Sequence, residues 1–181
     1  MKVRLFALFP ALLMVGCGSP NVDDPETLDK IMAEAIDSDK LQKRGKGDEK
    51  LIYAPNEQTP YTGRSKRMFG NGQIRGLYSY KDGKIDGLVT EWYENGQKRG
   101  EGNCKDGKKD GPVTEWYENG QKRGEGNCKD GKLMSCVIWK PNGEKCPVTD
   151  LKDGNGITVS YNDHGTEMYR TTYKDGEEVD D

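Results

Sequence analysis

The chain has 181 residues, of which 32% are hydrophobic and 33% are charged, with 24 glycines and a formal net charge of −3. The charges are interleaved and form no basic stripe, so we expect no nucleic-acid partner. A hydrophobic content this low is also found in disordered chains, but regularly spaced turns and aromatic residues favour an ordered fold here.

Residues 1–16 have the organisation of a signal peptide. A basic start precedes a short apolar run, Leu5–Val15, which is shorter than the roughly 20 residues that cross a bilayer. The sequence Met14-Val15-Gly16-Cys17 resembles a bacterial lipobox, which implies a lipoprotein with its lipid on Cys17. Ordinary secretory cleavage is the alternative. Gly18 stands where inner-membrane retention needs aspartate, so we expect an outer-membrane anchor, on either the periplasmic or the surface side.

Residues 17–50 are predicted to form a tether and one amphipathic helix. Asp24 is a favourable N-cap, and Pro25 suits the first helical position. An apolar stripe at helical spacing follows, formed by Leu28, Ile31, Met32, Ala35 and Ile36. We expect the helix to end before Gly45 and to cover the open first edge of a sheet. A partner-binding helix and a membrane-surface helix are the alternatives.

A repeat of 24 residues dominates the rest of the chain, because Val89–Lys108 recurs without a change as Val113–Lys132. Glycine turns recur at steps of 11 to 13 residues, starting at Asn71, Asp82, Asn95, Asp106, Asn119, Asp130, Asn142, Asp153, His164 and Asp175. Asn-Gly and Asp-Gly favour type I′ hairpin turns, which need positive φ at both central residues. The predicted fold is mainly β: an elongated single-sheet antiparallel array of hairpins over residues 51–176, with one short N-terminal helix.

The repeated unit resembles the variant MORN repeat. The resemblance is carried by Trp92-Tyr93-Glu94-Asn95-Gly96-Gln97 with Lys105-Asp106-Gly107, by their copies one repeat later, and by weaker copies around residues 69–83, 139–143 and 161–176. Such repeats occur in YwqK-family antitoxins. The resemblance implies a hairpin-array fold and, as one function, the neutralisation of a cognate toxin.

An aromatic row is predicted along the array. It consists of Trp92, Tyr93, Trp116, Tyr117 and Trp139. Each two-stranded repeat makes about 10 Å of sheet, so these rings should recur at that spacing. Rows of this kind usually pack a repeat array. The alternative is a binding face for sugars or lipid headgroups.

Four cysteines remain besides Cys17. Cys104 and Cys128 are equivalent positions one repeat apart, about 10 Å in a hairpin ladder, which is too far for a disulfide. Cys136 is predicted to pair with either Cys128 or Cys146, and the sequence leaves both open. The sole histidine, His164, occupies a turn, where we expect a left-handed backbone, and there is no Cys-x-x-Cys motif. We therefore expect no metal site.

Residues 177–181 form an acidic tail. We find no catalytic constellation and no phosphate loop, and we expect a narrow sheet to offer little of a pocket, so we predict no enzyme activity, no cofactor and no small-molecule substrate. The predicted function is an envelope-anchored binding or scaffold module, held to the membrane by its lipid, for a protein partner or an envelope polymer. The alternatives are an antitoxin-like partner of a toxin and a lipid- or glycan-binding array.

Overall fold

The computed structural model describes residues 20–179. Cys17, the predicted signal peptide and the last two residues of the acidic tail lie outside this range. The described chain contains one α-helix, α1 (Pro25–Glu34), and short 3-10 helices at Ser38–Lys40 and Gly47–Glu49. The strands are β1 (Ile36–Asp37), β2 (Gln42–Arg44), β3 (Leu51–Tyr53), β4 (Gly63–Met68), β5 (Ile74–Lys81), β6 (Lys84–Trp92), β7 (Lys98–Lys105), β8 (Lys108–Trp116), β9 (Lys122–Lys129), β10 (Lys132–Ile138), β11 (Gly156–Tyr161), β12 (Glu167–Lys174) and β13 (Glu177–Val179).

Three sheets are built from these strands. The main sheet has eight strands in the order β1-β4-β5-β6-β7-β8-β9-β10, β11-β12-β13 form a second sheet, and β2 pairs with β3. All neighbours are antiparallel except β1, which runs parallel to β4. The predicted mainly-β antiparallel hairpin array with one short helix is confirmed. The prediction of a single sheet is wrong, because β11–β13 pair with one another and not with β10. Among the described residues, no helix has both the length and the apolar character needed to cross a membrane.

The two kinds of glycine turn differ in conformation. At the Asp-Gly turns both residues have positive φ, for example 50° at Asp106 and 86° at Gly107, as a type I′ turn requires. At the Asn-Gly turns only the glycine does, with φ of 83° at Gly96, and its N–H donates to the carbonyl of Tyr93 at 3.0 Å. These are type I turns followed by a left-handed glycine, so the type I′ prediction is wrong for them.

His164 belongs to the second kind of turn. The left-handed residue there is Gly165, with φ of 79°, and His164 itself does not have positive φ. The backbone N–H of His164 donates to the Asn162 side chain at 3.0 Å. The prediction of a left-handed His164 is therefore wrong, because the turn places its strained position one residue later.

Hydrogen bonds tie each repeat to the next at both rows of turns. On one side, the Gly107 N–H donates to the carbonyl of Ile85 at 2.8 Å, and the Gly131 N–H repeats this bond one repeat later. On the other side, the Tyr93 hydroxyl donates to the carbonyl of Trp116 at 2.8 Å. Each turn depends on its neighbour for these bonds, so a single repeat cannot form them alone.

Helix α1 begins as predicted and ends earlier. The Asp24 carboxylate accepts from the Thr27 N–H at 2.9 Å. The helix stops at Glu34, and Ala35 is already extended with ψ of 134°. The helix therefore ends before Gly45, as expected, but the prediction that Ala35 and Ile36 belong to its stripe is wrong, because Ile36 leaves the helix to pair with Ser65 at the edge of β4.

The first edge of the main sheet is closed by β1, whereas α1 lies on one face of the sheet. Ile31 and Ala35 of the helix are buried with Leu77 of β5 and Trp92 of β6. One repeat later, Lys98 and Glu101 take the positions of Ile74 and Leu77, and these two charged groups form an ion pair at 2.6 Å. The apolar surface that receives the helix therefore occurs only in the first repeat.

We expect Trp92→Ala to lower the free energy of unfolding by about 3–5 kcal/mol, because Trp92 is buried in the cluster with α1. Trp116→Ala is the matched control, since Trp116 lies in an identical local sequence but is only half-buried. Urea unfolding followed by far-UV circular dichroism measures both losses. Equal losses would contradict a special role for the first repeat.

Candidate binding cleft

The main sheet has two unlike faces. Helix α1 covers part of one. The other we call the glycine face, defined by Gly100 and Gly102 of β7, Gly124 and Gly126 of β9, and the residues opposite them. Val113 of β8 lies opposite both Gly102 and Gly126 in the register. Because strand residues alternate between faces, the glycines of each repeat fall on the same side.

The glycines let neighbouring side chains lie flat. A Cβ atom on Gly102 would be 2.8 Å from Val113 Cγ1, and one on Gly124 would be 3.2 Å from Ile138 Cδ1. On Gly126 it would be 2.6 Å from the backbone oxygen of Ser135. Aliphatic side chains thus lie across the glycines, so few side chains project far from this face of the sheet.

A cleft of about 610 Å³ lies between the glycine face and the three-stranded sheet. Its floor includes Val113, Gly124, Gly126, Cys136 and Ile138. Its other side, the wall, is lined by residues of β11 and β12, namely Thr158, Val159, Ser160, Tyr169, Thr171 and Tyr173. Ligand sites commonly have this volume. The expectation that the array offers little of a pocket is wrong, because residues of the second sheet and of the glycine face line one cleft.

The wall residues are those that sequence reasoning missed. Tyr169 follows the turn residue Gly165 by four positions, as Gly100 follows Gly96, so a tyrosine replaces a repeat glycine. Tyr173 likewise replaces Cys104. Alignment of the last repeat on the earlier ones would have revealed this exchange, but not that the two sheets line one cleft.

Charges at the mouth of the cleft are balanced. Glu177 pairs with Lys132 at 3.2 Å, and Glu125, which alternates with Gly124 and Gly126 and so lies towards the other face, pairs with Lys122 at 3.0 Å. Four charged lining residues form no ion pair with any residue between 20 and 179: Glu115, Glu178, Lys109 and Arg123. Two of these are acidic and two basic. The charged residues of the cleft therefore do not favour either an anionic or a cationic ligand.

The thiols in the cleft are poor nucleophiles. Burial raises the pKa of Cys128, and burial raises the pKa of Cys136 to about 11. Both therefore remain protonated at neutral pH, whereas the thiolate is the reactive form. Burial also acts to raise the pKa of Cys146, but hydroxyl groups of Thr149 and Tyr161 and two backbone N–H groups donate to its sulfur and hold that pKa below its ordinary value.

All four cysteines of the described range are free thiols. Cys136 lies opposite Gly126, two positions from Cys128. Cys146 donates its N–H to the carbonyl of Ile138, which is two positions from Cys136. No disulfide joins Cys136 to Cys128 or to Cys146 in this structure. For the oxidised protein the pairing stays a prediction.

The residues of the predicted aromatic row differ in how far they are buried. Trp92 is 6% exposed and Tyr117 is 2% exposed, so both pack the interior. Tyr93, Trp116 and Trp139 are half-buried. The Lys98 ammonium lies 5.8 Å from the Trp116 ring centre, and Lys122 lies 5.4 Å from that of Trp139. The predicted binding face on the row stays a prediction for these three. In the part of the chain that the structure describes, no group of three or more potential metal ligands occurs.

Comparison with known families identifies the repeat. The model of the MORN repeat variant matches residues 85–106 and 109–130. The chain carries MORN-variant repeats. No curated protein and no solved structure matches it. The two matched MORN repeats cover most of β6–β9 and so contribute Val113, Gly124 and Gly126 to the floor of the cleft, whereas the tyrosine wall lies beyond them.

We expect Cys136 to react slowly with iodoacetamide at pH 7 and faster as the pH approaches 11, because its thiol has a pKa of about 11. Timed alkylation of the folded protein, followed by peptide mass mapping, measures the rate at each pH. Cys146 serves as the internal comparison, since its pKa is lowered and only its burial, at 2% exposed, limits its reaction. Rapid labelling of Cys136 at pH 7 would show that the cleft is not as described.

Proposed function

We propose that this protein is a non-catalytic binding module that holds a protein partner in the cleft on its glycine face. The observation that carries the proposal is the cleft itself, about 610 Å³ in volume, with an apolar floor and a tyrosine wall. Its thiols are protonated at neutral pH, which suits packing against a partner better than nucleophilic chemistry. The MORN-variant repeats agree with a binding or scaffold role.

We propose further that the module is an envelope lipoprotein. The lipobox-like residues 14–17 support this, with Cys17 as the lipidated residue. A diacylated and N-acylated cysteine would carry three chains, which is enough for a stable anchor. The anchor would hold the module at the outer membrane. An envelope polymer is a second candidate for its partner, through the half-buried Tyr93, Trp116 and Trp139.

An antitoxin-like role is a special case of protein binding. The resemblance to YwqK-family antitoxins supports it. The partner would then be a toxin, and the cleft would be the surface that neutralises it.

We expect Tyr169→Ser to abolish capture of a protein partner when the purified chain is crosslinked in a native envelope extract and its partners are identified by mass spectrometry. Tyr169 is 59% exposed and lines the cleft. Met168→Ser is the matched control, because Met168 is 60% exposed on the same strand but does not line the cleft. Partners that survive Tyr169→Ser would place the binding surface elsewhere.

Lipid attachment is tested separately. Cys17→Ser is expected to abolish incorporation of a labelled fatty acid and to move the protein from the membrane fraction to the soluble fraction. Wild-type protein that carries no label would exclude the lipoprotein anchor and leave ordinary secretory cleavage.

A further inference from the structure

Strand β12 has an open edge beside the cleft. It pairs with β11 from Glu167 to Tyr173. On its other side it pairs with β13 only from Thr172 to Lys174. Within residues 20–179, the stretch Glu167–Thr171 therefore has a neighbouring strand on one side only. Such a stretch is a template for another strand.

The register shows which backbone groups face the open side. The type I′ loop Asp175–Gly176 joins Lys174 to Glu177, and a two-residue hairpin loop is closed by a hydrogen-bonded pair. Backbone groups alternate in direction along an antiparallel strand, so those of Thr172 also point towards β13. By the same alternation, the N–H and C=O groups of Arg170 point to the open edge, whereas a register shift at Met168 ends the regular alternation one step further on.

The cleft lies where the side chains of an added strand would go. Tyr169, Thr171 and Tyr173 of β12 line the cleft. A strand placed beside β12 would direct every second side chain to that same side. The cleft floor continues as far as Val113 and Glu115 of β8, which leaves room for these side chains.

Exposure and charge at this edge favour a neutral, partly apolar occupant. Tyr169, which lines the cleft, is 59% exposed and lies on the open stretch. Charge complementarity with the balanced mouth, where Glu115 and Glu178 are offset by Lys109 and Arg123, points to a segment without strong net charge.

We propose that an extended peptide segment of a protein partner adds to the open edge of β12 as an antiparallel strand. Its backbone bonds to Arg170, and apolar side chains at alternate positions enter the cleft. This inference rests on the proposed binding function and gives the partner's chemistry: an extended, nearly neutral peptide with apolar residues at every second position.

The test distinguishes the contribution of the Arg170 backbone N–H to binding from that of the Arg170 side chain. Arg170→Pro removes the outward N–H, and edge positions tolerate proline. Arg170→Ala keeps the N–H and removes only the guanidinium group, which pairs with Glu167 at 2.6 Å. A phage-displayed library of random dodecapeptides is selected on the full chain, and the dissociation constants of the recovered peptides are measured for wild type and both variants.

Recovered peptides are expected to carry apolar residues at alternate positions. They should bind Arg170→Ala within about twofold of wild type and Arg170→Pro about tenfold more weakly, as expected for one lost hydrogen bond. Thermal melts confirm that both variants are folded. N-methylation of the peptide groups that face β12 should weaken binding to the wild-type chain equally, and this measurement needs no variant.

Several results would overturn the proposal: a library that yields no binder, binders indifferent to both Arg170→Pro and N-methylation, or apolar residues at three- and four-residue spacing. A wild-type dimer that becomes monomeric in Arg170→Pro would overturn it in favour of a second copy of this chain. If a native partner requires Tyr169 but binds Arg170→Pro normally, the binding function stands and strand addition fails.

Discussion

The structure depends on the bonds between successive turns. A two-stranded repeat buries little apolar surface, and a hairpin alone is marginally stable in water. Here the N–H of each Asp-Gly turn glycine finds its acceptor in the preceding repeat, as Gly107 does at Ile85 and Gly131 at Lys109. At the opposite row the hydroxyls of Tyr93 and Tyr117 reach the backbone of the following repeat. Stability is therefore shared between neighbouring repeats.

The small side chains of the repeat also create the cleft. Glycines at alternate positions of β7 and β9 let Val113 and Ile138 lie flat across the sheet. Because few side chains project far from the glycine face, the space between this face and the second sheet is not filled. In the last repeat, Tyr169 and Tyr173 stand in the positions of a glycine and a cysteine, and they wall the space instead of filling it. One feature of the repeat, its small residues, thus accounts both for the close strand packing and for the candidate binding site.

The first repeat is specialised in a different way. Ile74 and Leu77 make it apolar where later repeats carry a Lys–Glu ion pair, and α1 buries Ile31 and Ala35 against it. At this end β1 pairs in parallel with Ser65 and Lys66 of β4. At the other end of the array, β13 pairs with Thr172–Lys174 of β12. The two ends of the array therefore differ in what covers them: a helix and a parallel strand at one, and a short antiparallel strand at the other.

Local sequence determined much of this protein. The repeat period, the Asp-Gly turns and the start of α1 at Asp24 follow from short-range rules, because turn conformation and helix capping depend on residues within a few positions. The conformation of the Asn-Gly turns could not be predicted in this way, because the same dipeptide suits a type I′ turn and a type I turn followed by a left-handed glycine. Nor could the end of α1, because Ile36 pairs with a strand residue 29 positions away. Only the tertiary structure decided that Trp92 lies beneath a helix while its twin Trp116 does not, and that the second sheet and the glycine face line one cleft. The physical reason is that identical repeats differ only in what covers them, and the covering segments come from elsewhere in the chain.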